Sequence, residues 1–393
     1  MAHKGPLSGI KVIDCTTLIA GPLATRILAD QGADVIKVEP FGGDLVRHLG
    51  PTPAPNFSAA FLALGRNKRS VCMNLSDPAA QKLVVALTRD ADVFIANSRP
   101  GVMARHGLDA KTLQSQNPRL IYVSITGNGD TGPMADQRTY DPIIQARSGM
   151  AAAQSGAQPV RLMPQMVCDK LTGLNAAQAV CAALLEAHKT GKGQQIDISL
   201  LSATLDFLSP DVFWPIATPD QDLPIADISN VYTPWDTRDG QIVFVVLSDK
   251  EFVDLVEAFD CQSLAEDERF NTMAERFANW TDFQQIFKEK LAKLTTREAL
   301  QILKDANIPS GPVNRLTDLA DDEQIAAIGA MGERQHAIAG RALQVKPAAR
   351  FGNHPQDQLA DAPELGQHTR EVLSDLGLSD AEIQKLFEAG TLV

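Results

Sequence analysis

The chain has 393 residues, 44% of them hydrophobic, and a net charge of −12. That length accommodates two or more domains and a large core. The acidic balance argues against a nucleic-acid partner, which needs a basic face, but it leaves room for a local basic cluster that holds a small anion. No stretch of about 18 uninterrupted apolar residues occurs, so no membrane span is expected. The start Met1-Ala2-His3-Lys4-Gly5-Pro6 leads into no apolar run, which predicts no secretory leader and a cytoplasmic location. Cys15, Cys72, Cys168, Cys181 and Cys261 form no C-x-x-C pair and read as free thiols. The histidines show no H-x-x-x-H spacing, and no metal is expected.

The first 130 residues or so alternate strand and helix signals. Strands are predicted at Ile10–Asp14, Ala33–Glu39, Ser70–Leu75, Ala91–Ala96 and Leu120–Ile125. Between them, Gly21-Pro22 opens a helix over Ala20–Gln31 that ends near Gly32. Asp77-Pro78 opens another that runs to about Thr88, with an N-cap and a proline at the first helical position. Short β-branched runs between amphipathic helices predict an α/β fold with a parallel, doubly wound, Rossmann-like sheet. An apolar helical stretch follows Asp169. After it come the turn Thr190-Gly191-Lys192-Gly193 and the alternating run Ile196–Leu200. Residues 205–232 carry Pro210, Pro215, Pro219 and Pro224 and read as a linker or crossing segment. Beyond them lie a strand at Gln241–Val246 and helices at Lys250–Phe259, Thr281–Leu294 and Thr296–Ala306. Ile308–Val313 reads as a turn or short strand. Two short helices, Thr369–Leu376 and Ser379–Ala389, end the chain. The expected domains are a large one over 1–204, completed by 330–393, and a smaller α+β one over 233–329.

Several residues invite chemical readings. Leu18-Ile19-Ala20-Gly21-Pro22 lacks the G-x-G-x-x-G fingerprint of dinucleotide sites. Glu39 ends the second strand, where a ribose-binding acid or a solvated strand end are both open. Arg66, Lys68 and Arg69 stand together, and Arg47, Arg99, Arg105 and Arg138 lie near other strand ends. In open α/β sheets such ends converge on a ligand crevice, and a polyphosphate would explain the local basicity. Asn97-Ser98-Arg99-Pro100-Gly101 suits a ligand-facing turn or a generic one. Asp169 sits where either a helix N-cap or a nucleophile is open.

Taken in order, these pieces resemble the family III coenzyme A transferases, the group that includes formyl-CoA transferase and carnitine-CoA transferase. The resemblance runs through Leu7-Ser8-Gly9-Ile10-Lys11-Val12-Ile13-Asp14, Ala20-Gly21-Pro22, Leu28 to Pro40, Gly42-Gly43-Asp44 and Arg66-Asn67-Lys68-Arg69-Ser70. It continues through Pro100-Gly101 with Arg105, the block Tyr140-Asp141, Gln145-Ala146 and Ser148-Gly149, then Asp169 and Thr190 to Gln194. It implies an acyl-CoA:carboxylate CoA-transferase with Asp169 as the covalent nucleophile. The partners would be an acyl-CoA donor and a carboxylic acid acceptor, with CoA thioesters as substrates and no cofactor. It also implies CoA contacts at Ile19 and Ala20, at Met73, Asn74, Leu75 and Ser76, and at Asn97, Ser98 and Arg99. Further contacts would be Arg105 and the stretch Arg138, Thr139, Tyr140 and Asp141. Arg66, Lys68 and Arg69 are candidate phosphate partners on charge. An interlocked homodimer is implied, with residues 205–232 as the crossing segment.

Two departures from the family pattern bear on function. The region from about Asn230 to Gly240 has no glycine run of the kind formyl-CoA transferase uses to cover its intermediate. The related α-methylacyl-CoA racemases place a histidine where this chain has Tyr140, and no histidine lies between His106 and His188. A racemase needs an acid/base group on each face of the α-carbon, and a phenol is a poor proton acceptor near neutral pH. A 2-methylacyl-CoA racemase and a non-catalytic CoA-binding protein are the alternatives to a transferase.

Overall fold

The computed structural model describes residues 4–155, 158–217, 232–354 and 359–393. The chain divides into two compact units, one of residues 1–213 with 328–393 and one of residues 214–327.

The first unit is built on a six-stranded parallel sheet: β1 (Lys11–Cys15), β2 (Asp34–Glu39), β3 (Lys68–Cys72), β4 (Val93–Ala96), β5 (Ile121–Thr126) and β6 (Gln195–Ser199). The spatial order is β3-β2-β1-β4-β5-β6, so the winding reverses between β1 and β4. Its helices are α1 (Ala20–Asp30), α2 (Ala59–Leu64), α3 (Pro78–Arg89), α4 (Val102–Arg105), α5 (Ala110–Gln116), α6 (Asp141–Arg147), α7 (Met150–Ser155), α8 (Val167–Thr190) and α9 (Leu200–Leu208).

The inner strands β1, β2, β4 and β5 bury apolar residues on both sides because both faces of the sheet are covered. Val12, Val35, Val93, Ile95 and Val123 face one core, with Leu28 of α1, Ala176 and Val180 of α8 and Leu208 of α9. Their strand neighbours Ile13, Ile36, Phe94 and Tyr122 face the other, with Leu83 and Leu87 of α3 and Leu113 of α5. The chain end returns to this second face as α16 (Thr369–Asp375) and α17 (Asp380–Glu388), which add Val372, Leu373 and Ile383 to it. The same unit carries an antiparallel hairpin, β10 (Met331–His336) and β11 (Gly340–Val345).

The second unit packs α11 (Asp249–Ala258), α12 (Met273–Ala278), α13 (Trp280–Leu291) and α14 (Thr296–Asp305) with a small sheet, and α10 (Trp214–Ala217) and most of α15 (Glu323–Ile328) also fall within it. The sheet is antiparallel, β7 (Trp235–Asp236), β8 (Gln241–Phe244) and β9 (Ser310–Pro312). Its core is aromatic. Trp235 stacks on Phe244 at 4.9 Å, and Phe283 meets Phe287 at 4.8 Å. Capping boxes Ser248/Glu251, Thr272/Glu275 and Thr295/Glu298 start three of its helices.

Several local expectations need correction. The third strand ends at Cys72; Met73 N–H still donates to Glu39 O, and Asn74 and Leu75 form a loop. The backbone leaves the ladder there to pair Asn74 N–H with Thr391 O near the C-terminus. The segment expected to be irregular from residue 205 is still helical to Leu208, where α9 ends. Residues 218–231 of that expected crossing segment lie outside the described residues, as does the start of the glycine-poor region.

Candidate active site

A parallel sheet opens at the C-terminal ends of its strands, and ligands bind where the strand order reverses. Most segments singled out in the sequence follow such an end, whereas Arg66–Arg69 stand at the start of β3 and Asp169 lies in α8. Ile19 and Ala20 follow β1, Met73–Ser76 follow β3, Asn97–Arg99 follow β4, and Arg138–Asp141 belong to the connection after β5.

The turn after β1 is held almost entirely by side chains. Asp14 Oδ1 accepts from Thr16 N–H, and Lys37 Nζ donates to Thr16 O. Across the reversal point Asn97 accepts from Thr17 N–H at 2.8 Å and donates to Thr17 O at 2.7 Å. Asp44 Oδ1 accepts from Leu18 N–H. Leu18 is left-handed at φ 65°, a conformation that needs such support in a branched residue. This turn delivers Ile19 and Ala20, both buried, to the start of α1.

Helix α1 runs close to α8. A Cβ on Gly173 would stand 2.7 Å from Ala20 O and 3.0 Å from Leu23 Cβ. Only hydrogen fits there, so Gly173 lets the start of α1 sit one helical turn from Asp169.

Asp169 is not the N-cap of α8. That position is Met166, which supplies no side-chain cap, and Asp169 falls in the first turn. The orphan N–H of Asp169 is satisfied from another helix: Asp141 Oδ2 accepts it at 3.0 Å. Asp141 is 2% exposed and opens α6. Its other oxygen accepts from Gln145 Nε2 at 2.6 Å. Among the described residues none donates to the Asp169 carboxylate. Burial, reinforced by the Asp141 charge, pushes the Asp169 carboxyl up to about 7. Beside it, burial pushes the Cys168 thiol up to about 11, so it stays neutral.

The cations fall into two classes. Arg66, Lys68 and Arg69 do not serve as phosphate partners, because internal carboxylates already hold them. Arg66 makes a two-pronged contact with Asp30, and Arg69 does so with Asp34 and also reaches Asp375. Lys68 Nζ is buried against Asp14 Oδ2, Pro22 O and Thr25 Oγ1. Burial opposes the Asp14 charge, but Lys37 and Lys68 outweigh it and hold that carboxyl well below the usual range. Arg47 and Glu39 leave the ligand-facing set as well. Glu39 is 1% exposed and clamped by Arg47 through contacts of 2.7 Å, so it is neither a ribose ligand nor a solvated strand end.

Arg99, Arg105 and Arg138 are exposed, and no ion pair engages them among the described residues. Arg99 and Ser98 line a cavity of about 260 Å³ with Lys111, Tyr122 and Ser124. Lys111, remote in the sequence from any strand end, escaped the sequence reading. Arg105 Nη1 lies 3.7 Å from where a Cβ on Gly101 would stand, so the Pro-Gly turn leaves room for it. Arg138 donates to the Tyr140 hydroxyl, and the Tyr140 ring is 49% exposed beside Asp141. Thr139 packs its methyl against Gly127. Met73 is fully buried, while Ser76 is exposed. A larger cavity of about 590 Å³ lies between α2 and the β10–β11 hairpin, lined by Arg26, Leu62 and Leu343 among others. Of the residues expected at the site it includes Arg66 alone, which is committed to Asp30.

Known proteins share this architecture. The family model described as CoA-transferase family III matches residues 7–369. The succinyl-CoA:glutarate CoA-transferase of Mus musculus is 33% identical over 98% of this chain and 90% of its own length. The acetyl-CoA:oxalate CoA-transferase of Acetobacter aceti is 35% identical over 82% of this chain and 85% of its own. Among solved structures, a CAIB/BAIF family protein from Brucella suis superposes with a TM-score of 0.83 at 30% identity, covering 95% of this chain and 100% of that one. With a parallel sheet of this order and a family match across nearly its whole length, the chain belongs to CoA-transferase family III and is an enzyme of the CoA-transferase type.

Proposed function

We propose that this enzyme transfers CoA from an acyl-CoA donor to a free carboxylic acid through covalent intermediates on Asp169. The observation that carries this reading is a partly buried carboxylate with no donor among the described residues, one helical turn from the α1 start. In the first step an Asp169 oxygen attacks the thioester carbon. The C–S bond breaks, leaving a mixed anhydride and CoA thiolate. The thiolate then attacks the aspartyl carbonyl of the anhydride, which expels the donor acid and leaves an aspartyl-CoA thioester. The acceptor carboxylate attacks that thioester, giving a second anhydride and thiolate. Attack of the thiolate on the acceptor acyl carbon yields the new acyl-CoA and restores Asp169.

The elevated proton affinity of Asp169 makes it a stronger oxygen nucleophile than a solvated aspartate, and a pKa of about 7 leaves an ionised population at neutral pH. Arg99, Arg105 and Arg138 supply phosphate contacts for CoA, and Ile19 and Ala20 line its path to the acid. Relatives named for glutarate, oxalate and L-malate support short dicarboxylic acids as acceptors and succinyl-CoA as donor. The Tyr140 position supports transfer over racemisation, since a phenol stands where a racemase needs a base. Exposed Leu174, Leu185 and Phe207 on α8 and α9 support a homodimer. Five free thiols support a cytoplasmic setting, and the two compact units support the two-domain division.

The test is CoA exchange from succinyl-CoA to glutarate, oxalate and L-malate, with hydroxylamine trapping followed by peptide mapping. Exchange with a hydroxamate on Asp169, both lost in Asp169→Ala, is expected. Full exchange by Asp169→Ala would overturn the reading.

A further inference from the structure

Gln145 has no assigned part in the chemistry, yet it is among the most heavily engaged side chains near Asp169. It is 1% exposed and lies one turn after Asp141 on α6. Its Nε2 donates to Asp141 Oδ1 at 2.6 Å, Gln165 O at 3.0 Å and Met163 O at 3.1 Å. Its Oε1 accepts from Met163 N–H at 2.8 Å. One amide therefore ties together the Asp141 carboxylate and the segment that leads into α8.

The consequence follows from how α8 begins. Met166, its N-cap residue, offers no side-chain acceptor, so the first turn depends on Asp141 in trans. A carboxylate used as a cap from another helix must be held in place, and Gln145 holds it. The arrangement also frees Asp169 from capping its own helix.

We propose that Gln145 is a positioning residue for the Asp169 nucleophile, fixing the Asp141 cap and the 163–165 segment so that the start of α8 presents a free carboxylate. This rests on the transferase reading above. Gln145 touches no substrate in this account; it acts through Asp141. Asp141 on α6 is also the charge that acts on Asp169, and the Cys168 thiol beside it stays neutral, so the placement of Asp141 is readable in the ionisation of the nucleophile.

The experiment compares Gln145→Met, Gln145→Glu, Asp141→Asn and the double variant Asp141→Asn/Gln145→Met in the full chain. It measures kcat and KM for succinyl-CoA with glutarate between pH 5 and 9, together with the thermal midpoint. Without its amide donor Asp141 is no longer held at the start of α8, which lessens its effect on Asp169, so the acid limb of the Gln145→Met profile should move down by about 1 unit, and kcat should fall at least 10-fold with KM changed less. Asp141→Asn should shift the limb the same way, and the double variant should add little to either. Gln145→Glu keeps the shape but sets a second carboxyl against Asp141, so its limb should move up. It carries the test if Gln145→Met does not fold. A limb unmoved in every folded Gln145 variant, or additive losses in the double variant, would overturn the inference. If Asp169→Ala is inactive alongside such a result, only this inference falls. If Asp169→Ala keeps full activity, the transferase reading on Asp169 falls first.

Discussion

Replacing Asp169 with asparagine should stabilise the protein at alkaline pH and much less at acid pH. A carboxyl whose folded pKa is raised from 3.8 to about 7 holds its proton more tightly folded than unfolded. Its contribution is fully present below the unfolded value and is lost as pH rises through the folded one. Between pH 5 and pH 8 two such pKa values imply a loss of about 3 kcal/mol at most, at 1.36 kcal/mol per unit. Asp169 is only partly buried, so solvent screening reduces this to about 1–2 kcal/mol. Asparagine also forgoes the favourable interaction of an anion with the first turn, about 0.5 kcal/mol in the opposite sense. The net gain over the parent at pH 8 should be about 1 kcal/mol more than at pH 5, or roughly 2 °C in midpoint. Thermal unfolding of parent and Asp169→Asn at both pH values, followed by circular dichroism, measures it. A midpoint difference that is equal at the two pH values, or larger at pH 5, refutes the argument that burial and Asp141 strain this anion.

Three other outcomes follow from the packing. Gly173→Ala should lower the thermal midpoint and slow CoA exchange, because its Cβ meets Ala20 O at 2.7 Å; the clash costs about 1–3 kcal/mol, more than the helix propensity gained. Lys68→Met should cost about 3–5 kcal/mol in denaturant unfolding, since it removes one of the two lysines that neutralise Asp14. In steady-state assays Arg99→Ala and Arg105→Ala should raise KM for succinyl-CoA several-fold with little change in midpoint. Arg66→Ala should do the reverse, losing stability while KM holds, because Arg66 is committed to Asp30.

Local chemistry was readable where a local rule decides the structure. Asp77-Pro78 does start α3, with the Asp77 side chain accepting from Ala79 N–H. Gly32, at φ 98°, does follow the end of α1. The β10–β11 hairpin escaped because its strands, Met331–His336 and Gly340–Val345, alternate weakly and meet at a turn without an Asn-Gly or Asp-Gly signal. Charges were misread for a related reason. Sequence displays Arg66, Lys68 and Arg69 as a cluster, but their partners Asp30, Asp14 and Asp34 come from elements that only the parallel sheet brings alongside. Asp169 was legible as a candidate because its surrounding motifs are ordered along the chain. Gln145 was not, because its work is done on backbone 18 and 20 residues away.

The buried charges beneath β1, β2 and β3 have an evolutionary consequence. Asp14, Lys37, Lys68, Asp44, Glu39 and Arg47 are all excluded from solvent, and salt bridges join Lys68 to Asp14, Lys37 to Asp44 and Arg47 to Glu39. No single step can reverse one of these signs without stranding its partner in a dry interior. This half of the sheet should therefore drift only by concerted exchanges and stay nearly fixed along a lineage. The half around β5 and β6, held by apolar packing and an exposed edge at Gln195 and Asp197, is free to change one residue at a time.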